Sequence, residues 1–137
     1  MRGPVKQSSG RVRLMSSRCR TVERMTLSEE RLKECWATLR EVIADLRSFV
    51  ETDDYSFIEA AKERVSRLED GEVVSELSGV RDLIINVREM HRKVLEANGK
   101  LDDIDHGLLV QQAIYSITRA NILAVGIEFR LKRMRGG

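Results

Sequence analysis

The chain has 137 residues with one proline, one tryptophan and two cysteines; 34% of residues are charged and the formal net charge is +2. This length suits a single domain with a real core, and few aromatics beside so much charge fit helices rather than a β-sandwich. Cys19 and Cys35 have neither CxxC spacing nor a nearby histidine pair, which argues against a disulfide framework or zinc site and suits a reducing compartment.

Charge is unevenly placed. Residues 1–25 hold seven basic residues against Glu23 alone, and residues 130–137 hold Arg130, Lys132, Arg133 and Arg135 with no acid. The stretch between carries 13 basic and 21 acidic residues, so an acidic body is bracketed by two basic ends.

Residues 1–25 are rich in Arg, Ser and Gly and lack hydrophobic periodicity. They offer too little apolar surface to offset the entropy of ordering, and a flexible basic arm is expected. It reads as a solvated tail, a phosphate-binding arm, an organelle-targeting peptide, or sequence upstream of a true start at Met25. No apolar stretch long enough for a secretory signal occurs in it.

From Thr26 a helical domain is expected over residues 26–135. The first helix, about 26–51, opens with the capping-box spacing Thr26-Leu-Ser-Glu29. Leu32, Leu39 and Leu46 recur every seven residues, with Cys35/Trp36, Val42/Ile43 and Phe49/Val50 alternating between them. That 4-3 pattern is the seam of nearly parallel or antiparallel helices, with Trp36 as a core anchor.

A second helix, about 54–69, carries Ser56-Phe-Ile-Glu59 as a capping box and Ile58, Ala61, Val65 and Leu68 as its stripe; Gly71 is expected to stop it in a left-handed cap. The third, about 72–97, steps by four and three through Val73, Leu77, Val80, Ile84, Val87, His91 and Val94, with a local bend expected at Ser78-Gly79. Asn98-Gly99 makes a turn, and Asp102, Asp103 and Asp105 favour the positive end of the last helix.

That last helix, about 103–134, is the least polar segment. Fifteen of residues 108–131 are apolar, and only Arg119, Glu128 and Arg130 are charged. A helix apolar on most sides is usually buried by several neighbours, which places it at the centre of the fold. Arg119 divides its longest uncharged runs, 107–118 and 120–127, so it does not read as a membrane span. Short loops between four helices give an all-α, antiparallel up-down-up-down four-helix bundle. Ala113, Ala120 and Ala124 allow a close neighbour, and the short second helix covers less surface than the others. Homodimerisation through the last helix is therefore expected.

Candidate sites are few. Asp103 and His106 have a legal metal spacing, but a di-metal bundle needs carboxylates from facing helices and the seams of the first two helices are apolar; His106 reads as an exposed first-turn residue, and no metal or cofactor is expected. His91, Tyr115 and Arg119 form a candidate buried polar site. Arg119 is expected to pair with an acid such as Glu76 or Asp82 or to reach solvent. Arg11, Arg13, Arg18, Arg20, Arg130, Lys132, Arg133 and Arg135 are candidate anion or nucleic-acid contacts. No phosphate loop, nucleophile elbow or HExxH is present. The functional expectation is a non-enzymatic helical interaction protein: an adaptor, regulator or assembly subunit that self-associates in the cytoplasm. The alternatives are a sequence-indifferent nucleic-acid or ribonucleoprotein-associated protein using its basic ends, and a small-ligand bundle; an organelle becomes the location if residues 1–25 are a transit peptide.

Overall fold

The computed structural model describes residues 27–136; the expected basic arm, Thr26 and Gly137 lie outside them. Among the described residues five α-helices form and no strand: α1 Glu29–Thr52, α2 Ser56–Val65 with a 3-10 turn at Ser66–Leu68, α3 Gly71–Glu76, α4 Val80–Glu96 and α5 Asp103–Gly136.

Ser28 caps α1, its hydroxyl accepting the Arg31 N–H at 3.1 Å, with Glu29 and Glu30 in the first turn. Both satisfy the electropositive start of a helix. Leu32, Cys35, Leu39, Val42, Ile43, Leu46 and Phe49 are buried, and Trp36 sits half-buried beside them. The helix stops where Asp53 turns left-handed (φ 60°) and sends its N–H back to the Phe49 carbonyl at 2.7 Å.

The capping box expected at Ser56–Glu59 does not form. Asp54 does that work, its carboxylate accepting the Ser56 N–H at 2.9 Å, while Tyr55 gives no side-chain cap. Ile58, Ala61, Val65 and Leu68 are all buried. Arg64 pairs with Asp45 at 2.6 Å and Arg67 with Glu41 at 3.3 Å, so α2 runs against the direction of α1.

Gly71 does not end a helix in a left-handed cap; it begins α3, capped by Asp70 through the N–H groups of Glu72 and Val73. Nor is there one helix over 72–97. Leu77 turns extended (φ −106°, ψ 99°) and Gly79 takes φ +97°, dividing α3 from α4. The bend expected at Ser78-Gly79 is a full break, made cheap by a residue without Cβ. The seam of α4 also shifts. Leu83 and Met90 are buried with Val80, Ile84 and Val87, and His91 lies at its margin.

The last helix is not the centre. Glu29 faces Arg135 at 3.8 Å, Trp36 donates to Glu128 at 2.8 Å, and Asp53 accepts from His106 at 2.9 Å, so α5 lies antiparallel along the length of α1. On its other side α1 carries α2, α2 meets α4, and α4 returns to α5. Arg130 ties α5 to α3, with Nη2 donating to the Glu76 carbonyl at 2.9 Å and Nη1 meeting its carboxylate at 3.3 Å. Only one side of α5 is buried.

Candidate interaction surface

The 34 residues of α5 extend about 50 Å at 1.5 Å per residue. Its inner face is Leu109, Ala113, Ser116, Ala120, Leu123 and Ile127, spaced four and three, with Ala124 beside them. Small residues at 113, 116, 120 and 124 let α1 approach closely. A second 4-3 series runs along the opposite side: Ile104, Leu108, Gln111, Tyr115, Thr118, Ile122, Val125, Phe129 and Lys132. All nine are exposed. Ile104 is 75% exposed, Ile122 60% and Phe129 58%.

Of ten exposed large hydrophobic residues among those described, eight lie on α5 and two, Ile85 and Leu95, on α4. Scattered surface hydrophobics are ordinary, whereas a contiguous patch marks a contact surface. The strip is also nearly free of charge. Arg119 and Glu128 lie on its flanks, and each is already engaged. Arg119 donates to the Tyr115 hydroxyl at 2.7 Å and its guanidinium lies 5.5 Å from the Tyr115 ring centroid. That hydrogen bond, helped by the charge of Asp82, raises the Arg119 pKa. Glu128 accepts from the Trp36 indole.

The expected buried polar site is therefore not assembled. Tyr115 is exposed, Arg119 reaches solvent beside it rather than pairing with Glu76, and His91 forms no hydrogen bond with either. Glu76 is taken by Arg130. Of the candidate anion contacts, Arg11, Arg13, Arg18 and Arg20 lie outside the described residues. Arg130 and Arg135 turn toward Glu76 and Glu29, while Lys132 and Arg133 are exposed.

His106 is not an exposed first-turn residue. Nε2 meets the Asp53 carboxylate at 2.9 Å and Nδ1 meets the Tyr55 hydroxyl at 2.8 Å. A carboxylate only accepts, so Nε2 is the nitrogen that donates to Asp53. The Phe49, Tyr55 and His106 rings pack with centroids 5.7–5.9 Å apart. This cluster fastens the start of α5 to the α1–α2 turn. Residue spacing carried no signal of it, because its members lie about fifty positions apart.

Among the described residues no three of His, Cys, Asp or Glu converge as a metal site, and no helix is long and apolar enough to cross a membrane. Cys35 is buried on α1, and burial pushes its thiol pKa up, which makes it a poor nucleophile. Among the described residues, open surface grooves include one of about 380 Å³ between Arg92, Lys93, Leu101 and Leu108. No family model matches the chain, and neither a curated protein nor a solved structure matches it.

Proposed function

We propose that this chain is a non-enzymatic helical interaction protein whose working surface is the outer face of α5. The carrying observation is the second 4-3 series, exposed from Ile104 to Lys132 while the first series packs on α1. A helix needs one apolar face to join its own fold; a second, at knobs-into-holes spacing, suits a further helix. The contacts of α1, α2, α4 and α5 support reading the body as an antiparallel four-helix arrangement with α3 inserted, a rigid mount for that face. An adaptor, regulator or assembly subunit would act through it by packing alone.

The test compares the tagged chain with an Ile122→Glu, Phe129→Glu variant. Both positions are exposed, so the variant keeps the helix content of the folded chain, surface changes being worth about 0.5 kcal/mol or less each. Capture from native lysate, followed by mass spectrometry, should give a defined set of proteins that the variant loses. Recovery of the same set by both chains would refute the assignment of the face.

A further inference from the structure

We propose that the occupant of the α5 outer face is a second copy of this chain, packed antiparallel about a two-fold axis near the middle of the helix. This rests on the reading of that face as an interaction surface and names its partner.

Charge complementarity carries the inference. The start of α5 exposes Asp102, Asp103 and Asp105, and its end exposes Lys132 and Arg133. Among the described residues neither of these two basic side chains has an acidic partner, whereas Arg130 and Arg135 are engaged within the molecule. A parallel pair would set acid against acid at one end and base against base at the other. An antiparallel pair sets each acidic start beside a basic end, and it does so twice by symmetry. The helix dipoles then also oppose. A second copy has this complementarity by construction.

The seam is compatible with such pairing. Its nine positions follow a 3.5-residue repeat centred on Thr118, and the only charged one is Lys132, at the basic end. In the antiparallel arrangement Lys132 falls beside the second copy's acidic turn, and the middle of the seam contains no charge to desolvate. A standard-size interface takes about 800 Å² from each partner, roughly what a 50 Å strip of half-exposed apolar side chains provides.

The experiment measures distances between nitroxide labels in the purified full-length chain. Cys19→Ser removes one native thiol and the buried Cys35 is retained. Single cysteines are placed at Asn121→Cys, near the centre of the strip, or Gly107→Cys, where an added Cβ meets nothing within 4 Å. The antiparallel pair gives a short distance, below about 20 Å, for Asn121→Cys and a distance of about 30 Å for Gly107→Cys, from the rise of 1.5 Å per residue. Short distances at both positions mean a parallel pair and overturn the proposal. A single-chain mass with no intermolecular coupling also overturns it. In that last case, loss of captured proteins by the Ile122→Glu, Phe129→Glu variant would still sustain the interaction surface, with a different protein as occupant.

Discussion

The Tyr55 hydroxyl and the His106 imidazole meet at 2.8 Å across fifty residues of sequence, and Asp53 holds the opposite nitrogen of the same ring. This clasp sets where α5 begins relative to α1, and so sets the direction of its outer face. Replacing His106 with Ala removes two hydrogen bonds and two ring contacts and should cost about 1–2 kcal/mol, read from urea unfolding.

The same clasp has an alkaline signature. Burial, and then the nearby Asp53 charge, raises the Tyr55 pKa above its usual 10.0. The folded state thus favours the neutral phenol. The stabilisation is complete below pH 10 and disappears as pH rises through the folded value. Urea midpoints of Tyr55→Phe should accordingly fall less steeply above pH 10 than those of the parent.

Acid should act through the helix caps and surface pairs. The Ser56 N–H lowers the pKa of Asp54, and the Glu72 and Val73 N–H groups lower that of Asp70. Arg88 does the same for Glu69, and Arg92 for Glu89. Folded values below the ordinary 3.8 and 4.5 mean that the unfolded chain takes up protons first. The stabilisation is present above about pH 4.5 and is lost as pH falls through the depressed values. Asp70→Asn keeps a capping oxygen without the charge, so its acid limb should be shallower in a pH series of unfolding midpoints.

Ser116 is 0% exposed, and its hydroxyl has no hydrogen-bond partner among the described residues. A buried, unsatisfied hydroxyl costs free energy that a methyl group does not. Ser116→Ala should raise stability by about 1 kcal/mol in urea unfolding. One turn along the same face, Ala120→Leu forces a large side chain into a filled contact and should lower stability by about 1–3 kcal/mol.

Gly79 carries the break between α3 and α4 at φ +97°, and an added Cβ would meet Arg119 and Leu123 only at ordinary contact distances of 3.5–3.7 Å. Backbone strain rather than crowding therefore opposes any side chain there. Gly79→Ala should destabilise by about 1–2 kcal/mol, with the α5 outer face unchanged in labelling experiments.

The apolar stripes of α1 and α2 were legible because each of these helices has one greasy edge, so Leu39 or Ile58 could face only one way. The last helix misled for the opposite reason. Fifteen apolar residues in twenty-four suggested burial on many sides, yet Leu109 and Ile127 face α1 while Leu108 and Ile122 face solvent. Mean composition cannot distinguish a central helix from one with a second face exposed; the two interleaved 4-3 series carry that signal. Unbroken stepping across Gly79 predicts His91 in the α4 seam, but the helix restarts at Gly79 and it is Met90 that is buried. The His106 clasp depends on a tertiary meeting that no local spacing encodes.

The most direct test of the α5 face is hydroxyl-radical footprinting of Tyr115 and Phe129 in native lysate, for the full-length chain and for an Ile122→Glu, Val125→Glu variant. Both probes are about half exposed on the isolated chain, so a covering partner must reduce their oxidation. Strong protection in the parent and its loss in the variant are expected. Equal and rapid oxidation of both residues in both chains would show that the face is bare and that α5 carries no partner.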